Sequence, residues 1–125
     1  MTIDLHGYRF YDDGASEPLG RVPTARLGEL LTQAQTALRG RAHGIALYRD
    51  ARDFLEARPL GEDRFAFHSQ RLTRRSLLAR LLRRGGGLDF SVASRAQAVA
   101  VFVAYVGLPR AAFERKAADL AAPPH

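Results

Sequence analysis

Two kinds of hydrophobic spacing run along the chain. From Thr24 to Gly40, Leu27, Leu30, Leu31, Ala34 and Leu38 recur at i, i+3, i+4, i+7 and i+11, while Arg26, Glu29, Gln33 and Thr36 fall elsewhere on the helical wheel. This spacing predicts a helix over Thr24–Leu38, with Thr24 as its cap and Gly40 as its stop. A second helix is predicted over Thr73–Arg84, where Leu77, Leu78, Leu81 and Leu82 form one face and Arg80, Arg83 and Arg84 the opposite one. Gly85, Gly86 and Gly87 end it, because consecutive glycines lose too much conformational entropy in a helix.

Strand-like segments lie between and around these. Thr2–Tyr11 is rich in β-formers (Ile3, Tyr8, Phe10, Tyr11), carries Gly7 as a candidate bulge, and ends at the turn signal Asp12-Asp13-Gly14. Pro18, Gly20 and Pro23 then read as a loop. Phe65 and Phe67 share one face of a strand, and with Pro59 to Asp63 as the turn they predict a hairpin over Asp53–Gln70. Leu88, Phe90 and Val92 alternate with Asp89 and Ser91, the period of a short strand.

Two stretches fit either period. Ile45–Ala57 carries a helical stripe (Leu47, Tyr48, Ala51, Phe54, Leu55) with Arg49/Asp53 and Arg52/Glu56 as i, i+4 pairs. It also reads as a short element over Ile45–Asp50 leading into the hairpin, the reading adopted. Ala98–Val106 is apolar on every side, and Val99, Val101, Val103 and Tyr105 alternate as in a central strand. A helix over Arg95–Val106 is preferred because Ser94 and Gln97 have the spacing of a capping box and Gly107-Leu108-Pro109 can stop it. Phe113, Ala117 and Leu120 then predict a last helix over Arg110–Leu120. The expected fold is α+β: a single compact domain over residues 1–125, with a small, mainly antiparallel sheet covered by three to five helices.

Composition narrows the chemistry. Cysteine is absent, which excludes disulfides, thiol catalysis and Cys-ligated metal. Met1 to His6 has neither the basic nor the apolar region of a signal peptide, and the longest apolar run, Ala98–Val106, is about half of the ~20 residues a membrane helix needs. A cytoplasmic protein with no membrane span is expected. Lysine occurs once, at Lys116, so a Schiff base has one candidate.

Charge changes the picture most. The chain has 19 Lys+Arg against 13 Asp+Glu. Arg71, Arg74, Arg75, Arg80, Arg83 and Arg84 lie within one stretch that has no acidic residue, and without these six the balance is 13 against 13. The whole net charge of +6 is thereby assigned to one segment, a candidate surface for an acidic protein or a phosphate backbone. No aromatic residue falls between His68 and Leu88, so base stacking has no local support there. Val101–Leu120 has the outline of a helix-turn-helix, but Ala111 and Ala112 stand where base-reading side chains would be needed, and two packed core helices account for it better.

Catalytic candidates are few. His6 with Asp12 and Asp13 could hold a metal only with a further ligand; turn chemistry explains them better. His68 and Ser69 are adjacent on a strand and must face opposite ways. No catalytic residue, cofactor or metal site is assigned. The expectation is a small non-enzymatic binding protein, of the kind found as bacterial regulators, adaptors or toxin-neutralising partners, docking an acidic partner through the six arginines. Nucleic-acid binding through the same arginines is the alternative, and an enzyme with a site near His6 and Asp12 is the third.

Overall fold

The computed structural model describes residues 5–37, 42–50, 52–71 and 87–122. Its framework is a six-stranded sheet built from β1 (Leu5–Tyr11), β2 (Ser16–Val22), β3 (His43–Asp50), β4 (Asp53–Gly61), β5 (Arg64–Arg71) and β6 (Gly87–Val92). The spatial order is β2-β1-β3-β4-β5-β6, and every neighbouring pair is antiparallel. A 3-10 turn (Thr24–Arg26) leads into α1 (Leu27–Thr36), and α2 (Arg95–Gly107) and α3 (Arg110–Leu120) follow β6. The α+β expectation holds, with three α-helices among the described residues. None of these helices is long and apolar enough to cross a membrane.

The helices pack on one face of the sheet. Along each strand the alternate residues Leu5, Ile45, Leu47, Leu55, Ala57, Phe65, Phe67 and Val92 are buried. They meet Leu27, Leu30 and Leu31 of α1, Ala98, Val101, Phe102 and Tyr105 of α2, and Phe113 and Ala117 of α3. Phe67 of β5 stacks on Phe90 and meets the edge of Phe102, joining the sheet to α2. The spacing of Leu27, Leu30, Leu31 and Ala34 is therefore the buried stripe of α1, as its period requires, while Leu38 and the expected stop at Gly40 lie outside the described residues.

Several boundaries differ from the sequence expectation, each for a local reason. Residues 16–22 form β2, where a loop was expected. Pro18 is tolerated because β2 is an edge strand, where a missing N–H can face outward. The register between β1 and β2 shifts at Gly7/Tyr8, but the extra residue, Leu19, belongs to β2, and Gly20 beside it takes φ +70. Thr24 does not cap α1; it opens the 3-10 turn, whose N-cap is Pro23. The ambiguous stretch from Ile45 resolves into β3 and β4. Arg49 and Asp53 do pair, at 3.8 Å, but across the β3–β4 turn and not along a helix. Glu62 and Asp63 both take positive φ, so β4 and β5 are joined by a two-residue turn of the primed kind, and the hairpin turn is tighter than Pro59 to Asp63.

The α2 cap forms as read. Ser94 Oγ accepts from the Gln97 amide at 3.2 Å, while the Gln97 side chain reaches back to the Ala93 amide at 3.1 Å, one residue further than in a standard box. The helix runs one residue beyond expectation, through Gly107.

Candidate functional site

The sheet has a second face, and no described helix packs on it. Strand alternation sends the residues between the core positions to this side: His6, Tyr8 and Phe10 from β1, Tyr48 from β3, Phe54, Glu56 and Arg58 from β4, and His68 from β5. Small residues set their arrangement. Ala46 lies between Tyr8 and Glu56 in the register, and Gly44 leaves room for the Phe10 ring above it.

The aromatic side chains form a continuous ladder. Tyr8 meets Tyr48 edge-on at 5.2 Å between ring centres, Tyr48 meets its cross-strand partner Phe54 at 5.4 Å, and Phe54 meets His68 at 5.8 Å. Contacts of this geometry add about 0.5–1.5 kcal/mol each beyond area burial. The row ends at β6, where His68 Nδ1 lies 2.7 Å from Asp89 Oδ1. A second row is shorter: the Arg58 guanidinium sits 4.9 Å from the centre of the Phe10 ring and pairs with Asp12 at 3.2 Å. Beside Tyr8 and Tyr48 is a hollow of about 420 Å³, bordered also by His6, Ser16, Arg49 and Asp50.

Two titrating groups on this face are shifted. Desolvation raises the Glu56 carboxyl, and His68 and Arg58 only partly offset it. Desolvation also raises the Tyr48 phenol, helped by the charge of Glu56 and by Tyr8. Each group is held towards its neutral form, which suits a surface able to lose its water.

On the helix side, a cleft of about 460 Å³ opens where α2 turns into α3. The Tyr105 hydroxyl donates to Asp53 Oδ1 at 2.6 Å, and the Arg49 guanidinium donates to the carbonyls of Tyr105 and Val106 at the end of α2. Arg110 donates to Ser69 Oγ at 2.8 Å, and Ser69 Oγ in turn donates to the Phe54 carbonyl. Burial, then the hydrogen bond to Asp53, hold the Tyr105 phenol far above its ordinary range.

The residues expected from sequence fall as follows. Arg71 is the last residue of β5, opposite Asp53, while Arg74, Arg75, Arg80, Arg83 and Arg84, with the helix expected over Thr73–Arg84, lie outside the described residues. The strand ends flanking that stretch, Arg71 and Gly87, lie at the Phe54 end of β4, because Asp53 pairs Arg71 and Gln70 pairs both Phe54 and Gly87. His6 lies near the start of β1 and Asp12 in the turn just past its end, about 20 Å apart at ~3.3 Å per residue. Among the described residues no group of three or more His, Asp or Glu could hold a metal. His68 faces the ladder and Ser69 is buried on the other side, as alternation required. The α2–α3 pair buries Phe102, Tyr105, Phe113 and Ala117, the packing of core helices.

The ladder was not foreseen. Its rings come from three strands as well as from the histidine of a fourth, and the available signal was the polar-face alternation His6, Tyr8, Phe10. Comparison with known protein families, with curated proteins and with solved structures found no match.

Proposed function

We propose that the protein is a small non-enzymatic docking protein that binds an acidic surface of a partner protein. The observation that carries this reading is the aromatic ladder Tyr8–Tyr48–Phe54–His68 on the face of the sheet that no described helix packs against. Tyr, Phe and Arg are the residues that supply most binding energy in protein interfaces, and here they sit on a strand framework that costs little to order. Charge selects the partner. The six arginines of residues 71–84 carry the net +6, and the strand ends that flank them lie beside Phe54. Such a field speeds encounter with an acidic surface and disfavours basic ones.

The test is affinity capture from the native host with the full chain and two variants, Tyr48→Ala and the pair Arg83→Glu, Arg84→Glu. One acidic protein is expected with the parent chain, lost with both variants. Retention by both variants overturns the reading.

The ladder also favours a second reading, single-stranded nucleic acid, because bases stack on exposed aromatic rings for about 1–3 kcal/mol each. That reading requires a labelled oligonucleotide to bind with an affinity that falls steeply with salt, and Tyr48→Ala to weaken it at every salt concentration. Absence of binding at low salt removes it.

A further inference from the structure

The cleft between the sheet and the α2–α3 corner has guanidinium donors left over. Arg49 and Arg110 both line it, against one lining carboxylate, Asp53. Arg49 uses Nη2 on the carbonyls of Tyr105 and Val106, and Arg110 uses Nη1 on Ser69 and Nε on Glu114. Among the described residues, Arg49 Nη1 and Arg110 Nη2 make no hydrogen bond. The Arg110 side chain is only 14% exposed overall, and its carboxylate partner Glu114 is half exposed and binds from the rim.

The backbone adds to the same sign. Helix α3 starts at Arg110 behind Pro109, with no side-chain cap and no acidic residue in its first turn. Its first amides therefore present the positive end of the helix. Facing these donors are apolar groups, Leu108, Pro109 and the Phe113 ring. Asp53 pairs Arg49 and Glu114 pairs Arg110, so a ligand carboxylate that displaces the half-exposed Glu114 keeps each guanidinium matched by one negative charge. The planar fork of arginine matches a carboxylate, and a volume of about 460 Å³ lies in the lower half of the range for small-ligand sites.

We propose that this cleft binds a small organic carboxylate with an apolar body, the carboxylate between Arg49 and Arg110 and the body against Leu108 and Phe113. Glu114 is the resident competitor: it occupies Arg110 Nε in the free protein and gives way to the ligand. The cleft shares Arg49 with the hollow beside the ladder, but Leu108, Arg110 and Phe113 line the cleft and not that hollow, so Tyr48→Ala can abolish partner docking while carboxylate binding holds, and Arg110→Gln the reverse.

The experiment is a titration of the full chain with benzoate, followed by backbone amide shifts, with benzamide as the neutral probe of the same shape. Benzoate should give saturable shifts centred on Gly107, Leu108, Arg110 and Ala111, and benzamide none. Arg110→Gln should weaken binding roughly tenfold, in keeping with loss of a charge-assisted bond. Glu114→Gln guards against a variant that merely fails to fold. It removes an exposed ion pair and a competing charge, so it should tighten benzoate about two- to fivefold, a gain that a purely structural role for Arg110 does not give. Absence of saturation, equal shifts with benzamide, or an affinity unchanged by Glu114→Gln would each overturn the proposal.

Discussion

The Tyr105 hydroxyl donates a 2.6 Å hydrogen bond to Asp53 Oδ1, tying the last turns of α2 to the first residue of β4 across 52 positions of sequence. Arg49 reinforces the tie, 3.8 Å from the other Asp53 oxygen and 5.1 Å from the centre of the Tyr105 ring. Tyr105→Phe keeps the ring and removes only the hydroxyl, leaving Asp53, whose side chain is 14% exposed, with one acceptor unfilled. The expected cost is about 1–3 kcal/mol, since a buried acceptor that loses its donor retains its desolvation penalty. Chemical denaturation of the two proteins measures it. A difference near zero would mean that Arg49 alone satisfies Asp53.

The same phenol predicts the alkaline limit of stability. In the unfolded chain Tyr105 ionises near its ordinary value of 10, whereas burial and the Asp53 bond keep it protonated in the fold. Above pH 10 the folded state therefore binds more protons than the unfolded one, and stability falls as pH rises. Tyr48, also raised, adds in the same direction. Melting temperatures between pH 9 and pH 11 should fall less steeply in Tyr105→Phe than in the parent; parallel curves would refute the assignment.

Glu56 makes the corresponding prediction in acid. Its carboxyl is raised from the usual 4.5 by desolvation under the ladder, so the folded state holds the proton more tightly. Its contribution is most favourable below pH 4.5 and declines as pH rises through the folded value. Glu56→Gln stays neutral throughout and should be the more stable protein at pH 7, with the gap narrowing as pH is lowered towards 4. Glu56 is half-buried, so the effect is modest. A gap that widens on acidification would show that His68 and Arg58 outweigh desolvation.

Packing beneath the ladder gives a mutation pair of unequal cost. A Cβ on Gly44 would run into the Phe10 ring and come within 2.5 Å of the Ala57 carbonyl oxygen, which is fixed by strand pairing. A Cβ on Gly7 would meet Val22 Cγ2 at 2.5 Å, while its nearest backbone atom stays at 3.4 Å. Side chains can rotate and a paired carbonyl cannot. Gly44→Ala is therefore expected to destabilise by about 2–3 kcal/mol and Gly7→Ala by about 1 kcal/mol, read from thermal or urea unfolding. Equal costs would place the constraint in backbone flexibility instead.

What could be read from the chain tracks the distance over which each signal acts. The α2 cap needs only Ser94 and Gln97, and the α1 stripe only its own leucines, so both are visible in a short window. Strand β2 was hidden because Pro18 and Gly20 are loop signals unless the strand is known to be an edge, which is a property of the sheet order. The Arg49–Asp53 spacing pointed to a real pair through the wrong geometry, since i, i+4 residues also meet across a tight β-turn. The ladder and the cleft were out of reach for the same reason. Tyr8, Tyr48 and Phe54 become neighbours only when β1 pairs with β3 and β3 with β4, and Arg110 reaches Ser69 only when α3 folds back on β5.

That non-local construction makes the ladder separable from stability. Tyr48 is only half-buried and lies on the face opposite the core, and its direct partners are Phe54 and Tyr8, not the leucines under α1. Tyr48→Ala removes two aromatic contacts, a loss of about 1–2 kcal/mol, less than the ~3–5 kcal/mol expected for truncating a buried ring such as Phe102. If the face docks a partner, the order reverses in binding. An anchoring tyrosine at an interface centre costs 2 kcal/mol or more when truncated, about a thirtyfold loss of affinity. Tyr48→Ala should therefore remain folded by circular dichroism while losing the partner, and Leu60→Ala, which alters an exposed apolar residue near the β4–β5 turn, should change neither. Equal losses for the two variants would remove the ladder from the interface.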